Sequence, residues 1–357
     1  MNEDKIVNAL MELSEMTAVS GGEEAAVTAV ARYLRPYVTD IKRDRFGNLL
    51  AFKPAENATG KTELTIALVA HADEIGAMVT KIEPEGFLRF TPIGGLDPRT
   101  LPGQAVTVHG KNKFPGVIGA APPHLLTEKE RGETTPMEKL FVDIGLDQDQ
   151  AVDEVKVGDL ISLEQHPVVL KNGKMMTGKS LDNRAGISVL IACAAGLSRI
   201  CHSVDVVFVA SLQEEVGLRG AVTAAYGLNP DLAVAIDATH GDAPELEEGR
   251  FFKLGEGPVI AIGPNLHPAL VDRLEKTADK HFLSVQREPI PGHSGTDAWA
   301  FQVAREGIPT ALLSIPLRYM HTSVEMINLD DLFNCVKLLG YFIGGLNRTF
   351  LEDMKKC

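Results

Sequence analysis

Short apolar runs that end beside an acid or a histidine recur along this chain. Residues 63–70 (ELTIALVA) lead into His71, and 204–210 (VDVVFVA) precede Glu214 and Glu215. Residues 232–236 (LAVAI) lead into Asp237, and 310–315 (TALLSI) precede His321. Runs of this length and aliphatic content predict buried parallel strands. Helical spacing of apolar positions predicts helices over 4–17 and 22–38, with Ser20 as the N-cap of the second. FGNLLAFK (46–53) reads as a further strand, followed by a polar turn over 56–61.

The texture changes between residues 75 and 164. Segments such as GFLRFTPI, AVTVHG, GVIGA, LFVDIG and DLISL alternate with Gly, Pro and charged turns, a pattern of short β-strands. The charged stretch 127–139 reads as a solvated loop. Past His166, strand-like and helix-like segments alternate again to the end. The expected organisation is one α/β domain, a mixed sheet flanked by helices, formed from residues 1–74 and 165–357. A β-rich insert of residues 75–164 interrupts it. A continuous two-domain split would leave His71 far from the other candidate ligands.

Composition narrows the function classes. A net charge of −13 argues against a nucleic-acid binder, which would need a basic face. No stretch approaches the roughly 18 apolar residues of a membrane span, and MNEDKIVNALMELSEM is neither an export signal nor an anchor. Cys193, Cys201, Cys335 and Cys357 have no CxxC spacing, and Cys193 lies in the apolar helix ISVLIACAAGL as a buried thiol. A cytoplasmic protein without nucleic-acid or membrane partners is expected.

Ligand sites in open α/β sheets form at the carboxyl ends of the strands. His71, Glu215, Asp237 and His321 fall near such ends, and Asp182 opens a helical stretch in GKSLDNRAG between Gly178 and Gly186. Each is bland alone: Asp182 suits an N-cap, and His321 suits a satisfied core histidine. Together they form an oxygen and imidazole donor set without thiolate, which suits Zn²⁺, Co²⁺ or Mn²⁺. Two such ions about 3.5–4 Å apart can polarise an amide carbonyl and activate water while a carboxylate moves the proton. In His71-Ala72-Asp73, the acid can accept the other imidazole N–H and fix the tautomer. The neighbouring acids Glu214 and Glu215 repel each other unless one binds metal and the other titrates. A metal-dependent hydrolase is the leading reading from the residues alone.

HADEIG, GKSLDNRAG, QEEVGLRGA, AIDATHGD, GHSGTDAWA and IPLRYMHTSVE, in this order, resemble the tetrahedral di-zinc aminopeptidases. That family includes glutamyl and deblocking aminopeptidases and members with an endoglucanase label, and the resemblance covers essentially the whole chain. It implies a zinc-exopeptidase-like catalytic domain with two divalent ions, most simply Zn²⁺. Asp182 would bridge them, His71 and Asp237 completing one site and Glu215 and His321 the other. Glu214 resembles the general base, and Asp73 the acid that orients His71. The resemblance further implies a β-barrel-like dimerisation domain over 75–164 and dimers assembled into a twelve-subunit shell. Peptides would be the substrates.

His240 and His293 are candidates to line the substrate cleft, with Thr296 and Arg318 as further candidates for substrate contact. Trp299 is expected to pack within a helix. A neutral or broad preference for the N-terminal residue is favoured over strict glutamyl specificity. Two other function classes stay open. A glycoside hydrolase would rely on a carboxylate pair and aromatic platforms, which one Trp and five Tyr supply poorly. A non-catalytic shell-forming scaffold would need neither the ligands nor Glu214.

Overall fold

The computed structural model describes residues 2–56, 64–244, 246 and 251–354. Most of the polar turn expected over 56–61, together with Cys357, lies outside the described residues. The predicted apolar runs form the centre of an eleven-stranded mixed sheet. Its order runs Asp40–Arg43, Leu49–Lys53, Asp205–Ser211, Thr65–His71, Leu232–His240, Thr310–Arg318, Glu325–Asn328, Met175–Gly178 and Val168–Val169. Strands Val259–Ile262 and Gln286–Pro289 branch from Thr310–Arg318. The four strands carrying the predicted runs are mutually parallel, and the flanking pairs are antiparallel.

Helices cover both faces because the central strands are apolar on both. Along Thr65–His71, Ile66, Leu68 and Ala70 face one side and Ala67 and Val69 the other, the period of two of an extended chain. The first side packs against helices Glu3–Glu15, Glu24–Leu34, Leu181–Leu197, Pro268–Lys280 and Leu329–Gly344. The second packs against Arg219–Leu228 and Asp297–Gln302. Leu181–Leu197 is buried along nearly its whole length, as a helix apolar on every face must be. Cys193 is buried within it, and Trp299 packs against the second core.

Between Thr65–His71 and Val168–Val169 the chain builds a separate closed barrel. Its strands run in the order Gly76–Ile82, Leu88–Ile93, Phe141–Asp143, Lys113–Gly119, Ala105–His109 and Leu160–Leu163. Val79, Phe90, Val106, Val108, Val142 and Ile161 fill its interior. Closure removes free strand edges from this small sheet.

Several details depart from the sequence reading. Glu23, not Ser20, is the N-cap of Glu24–Leu34, and it makes no side-chain cap bond. The Ser20 hydroxyl instead donates to Asp73 Oδ2 at 2.6 Å. The stretch 127–139 remains largely exposed but is not featureless. A reciprocal Thr127–Glu130 capping box starts the short helix Glu128–Arg131. Asp237 does not follow its strand, which runs on to His240.

Phe208 is fully buried in the strand next to Thr65–His71. Phe208→Ala is expected to destabilise the fold by about 3–5 kcal/mol, read as a lowered midpoint in denaturant unfolding. An unchanged midpoint would contradict this account of the core.

Candidate metal centre

Parallel pairing brings the ends of the central strands to one rim of the sheet. His71 closes its strand beside Ser211, Asp237 lies beside Ser314, Glu214 and Glu215 follow Ser211, and His321 lies just beyond Arg318. Asp182 reaches the same place from the start of the central helix, where Asp182 and Asn183 have non-helical backbone angles. Ser180, Gln213 and His321 sit at positive φ (54°, 54° and 62°), a conformation unfavourable for these residues and held only by the surrounding structure.

Asp182 is central. Its Oδ1 lies 3.2 Å from His71 Nε2, and its Oδ2 lies 3.5 Å from His321 Nε2. On the first side, Asp237 Oδ1 is 3.7 Å and Glu214 Oε2 is 4.0 Å from His71 Nε2. On the second, Glu215 Oε2 is 3.5 Å from His321 Nε2. The donor atoms of His71, Asp182 and Asp237 lie within 4.8 Å of one another, as do those of Asp182, Glu215 and His321.

Charge in this cluster is unbalanced. Burial, reinforced by Asp237, Asp297 and Glu215, pushes the Glu214 carboxyl up to about 10. Burial and Asp182 push Glu215 up to about 7, and burial and Asp182 hold Asp237 well above the usual carboxylate range. Burial opposes protonation of His71, yet Glu214 and the other nearby carboxylates raise its pKa well above the usual value. The bond to Asp182 takes His321 up to about 9. Buried carboxylates this close need positive charge between them. The donor set fits divalent cations, and nitrogen with carboxylate oxygen is the chemistry that binds them.

A second layer fixes the ligands. Asp73 lies 3.4 Å from His71 Nδ1 through Oδ1, and it accepts the backbone N–H groups of Glu214 (3.0 Å) and Glu215 (3.1 Å). It therefore ties His71 to both glutamates. Glu325 accepts the N–H of Asp182 (3.0 Å) on one oxygen and that of His321 (2.9 Å) on the other. Glu74 pairs with the buried Lys179 at 2.7 Å and accepts the Ala18 N–H at 2.7 Å. Glu325, Glu74 and Lys179 have no role in the sequence reading, and Ser20 figures there only as an N-cap. Glu325 alone carried a signal, its position shortly after His321. Gly94 and Gly95 were also missed. A Cβ on Gly95 would overlap His321 Nδ1 and lie 2.9 Å from Cε1, so only glycine lets this loop cover the ring.

The cluster opens into a cleft of ≈ 440 Å³. His240, His293 and Thr296 line it. The His293 ring lies against Trp299, with centroids 4.3 Å apart, and the Thr296 hydroxyl caps Asp297–Gln302. Arg318 is not among the lining residues; its guanidinium donates to the backbone carbonyl of Asp242 and pairs with Asp242 Oδ1 at 2.7 Å.

A model of the family described as M42 glutamyl aminopeptidase matches residues 47–338. The lysyl aminopeptidase of Pyrococcus furiosus is 35% identical over 353 residues, covering 97% of this chain and 96% of that one. The crystal structure of a TET aminopeptidase from a marine sediment archaeon matches with a TM-score of 0.92 at 30% identity, over 99% of this chain and 100% of the other. A TET1 peptidase of Pyrococcus horikoshii, which can assemble into a tetrahedron or a large octahedral shell, matches with a TM-score of 0.82 at 34% identity. That match covers 96% of this chain and 100% of the other.

Gly95→Ala is expected to displace His321 and weaken divalent-cation binding by about 10-fold or more, measured by titration calorimetry. Gly196→Ala, whose Cβ would meet nothing within 4 Å, serves as the control. Equal affinities in the two variants would show that the loop does not hold His321.

Proposed function

The chain belongs to the M42 glutamyl aminopeptidase family, and from that premise we propose that it is a dinuclear metallo-aminopeptidase that removes N-terminal residues from peptides. The observation that carries the reading is Asp182, whose two oxygens face His71 and His321 from a shared centre. In this reading Asp182, His71, Asp237, Glu215 and His321 would hold two divalent ions with Asp182 as the shared ligand, Zn²⁺ in the first instance and Co²⁺ or Mn²⁺ as alternatives. His71 and Asp237 would serve one, and Glu215 and His321 the other.

The bound ions would supply Lewis acidity toward the scissile carbonyl and lower the pKa of water. The remaining steps fall to the chain. Glu214 is largely buried, and its Oε2 faces the cluster 4.0 Å from His71 Nε2. With cations bound to offset the burial and the neighbouring carboxylates that raise its pKa, its carboxylate would take a proton from the attacking water and return it to the departing amine. Asp73 holds His71 through the nitrogen turned away from the cluster, and Glu325 holds Asp182 and His321 by their backbones. His240, His293 and Thr296 bound the space for the peptide. No Phe, Tyr or Trp lines the cleft among the described residues, which disfavours a sugar-binding platform. A mere scaffold would not need Glu214 in this position.

We assign residues 1–74 and 165–357 to catalysis and the barrel of residues 75–164 to dimerisation. Val117, Leu125, Val152 and Val157 are exposed on this segment (50%, 72%, 56% and 63%), as a surface that pairs with a second copy would be. The tetrahedron or octahedral shell formed by the Pyrococcus horikoshii relative supports a homo-oligomer, for which we propose dimers assembled into a dodecamer. Among the described residues, no helix is long and apolar enough to cross a membrane. A cytoplasmic location stands as the sequence-based expectation.

Release of N-terminal residues from short peptides is expected to stop with chelator and to resume when Zn²⁺ or Co²⁺ is added. Glu214→Gln is expected to keep cation binding and lose about 100-fold or more in kcat. Full turnover by that variant with metal present would remove Glu214 from the mechanism. Light scattering should give twelve times the 38.5 kDa chain mass; a monomer would contradict the assembly.

A further inference from the structure

One carboxylate in the cleft has no part in the metal centre. Glu288 lies on the branch strand Gln286–Pro289, lines the same cleft, and belongs to none of the cation-binding groups. It is partly buried, and burial raises its pKa above the usual value. Among the described residues, its side chain has one hydrogen bond, from Thr239 Oγ1 to Oε1 at 3.1 Å, and no ion pair. No Lys or Arg among the described residues lines the cleft. A half-buried carboxylate with an unused oxygen is the complement of a cation brought by a ligand.

Its position sets what that cation is. Thr239 lies two residues beyond Asp237 on one strand and on the same face, so the two are about 6.6 Å apart. That is about the reach of an extended lysine stem from its Cα. Ile290, two residues beyond Glu288, also lines the cleft. An apolar wall ending in a carboxylate suits a side chain with a hydrocarbon stem and a charged head.

We propose that Glu288, positioned by Thr239, selects peptides with Lys or Arg at the N-terminus. The inference rests on the aminopeptidase reading and adds a substrate class to it, in place of the neutral or broad preference expected from the sequence. The bond cleaved is the same, between the first and second residues. Glu288 binds the side-chain cation of the first.

The test compares Lys-, Arg-, Leu- and Glu-aminoacyl fluorogenic substrates on metal-loaded full-length protein, as ratios of kcat/KM. The wild type is expected to favour Lys or Arg over Leu and Glu. Glu288→Gln is expected to lower the Lys-to-Leu ratio by about 10-fold or more, the range of one charge-assisted hydrogen bond. Glu288→Lys is expected to turn preference toward the Glu substrate, and Glu288→Asp, which keeps the charge, to retain a preference for basic residues.

A wild type that favours Leu or Glu overturns the inference and leaves the aminopeptidase reading standing, whether or not any variant folds. An unchanged Lys-to-Leu ratio in Glu288→Gln overturns it as well. An equal fall for Lys and Leu would overturn it by assigning Glu288 to the α-amine common to all substrates. A metal-loaded wild type that releases no residue from any substrate would overturn the aminopeptidase reading and this inference together.

Discussion

Repulsion among buried carboxylates is the constraint on which the rest of this molecule depends. Asp182, Glu214, Glu215 and Asp237 converge on two imidazoles in a space that largely excludes water. Left uncompensated, they would draw protons or push apart: burial first, and the neighbouring acids after it, raise the carboxyl pKa values of Glu214, Glu215 and Asp237. The surrounding structure resists that separation. Asp73 fastens the Glu214–Glu215 turn to the end of strand Thr65–His71, and Glu325 fastens the helix start at Asp182 to the loop at His321. Bound cations would relieve the repulsion without loosening these ties.

The sheet makes that convergence possible. Parallel strands end on the same side, so residues as distant in sequence as His71, Glu215, Asp237 and His321 arrive at one rim without special turns. The barrel is inserted directly after His71. Gly94 and Gly95, which follow its strand Leu88–Ile93, reach back to cover Glu215 and His321. Insertion at that point therefore joins the barrel to the centre it helps enclose.

What the sequence reveals follows from how local each signal is. The strands of the central sheet were legible because their apolar runs are contiguous, and the change to short alternating segments marked the barrel texture. The candidate ligands stood out by lying beside those runs. Glu74 with Lys179, and Glu325 with Asp182, pair across 105 and 143 positions, and no local pattern announces such contacts. Ser20 has the residue type of an N-cap, yet the helix begins only at Glu24, and the Ser20 hydroxyl donates to the buried Asp73 carboxylate. Glu288 carries no motif at all; its interest comes from the cleft around it and the absence of Lys and Arg among the described residues that line it.

The claim that two ions share Asp182 can be tested without any assay of activity. Crystals of the full chain grown with Zn²⁺ should be measured above and below the zinc absorption edge, and anomalous difference maps calculated. The account predicts two peaks per chain, one among His71, Asp182 and Asp237 and one among Asp182, Glu215 and His321. A single peak, or peaks away from Asp182, would contradict it.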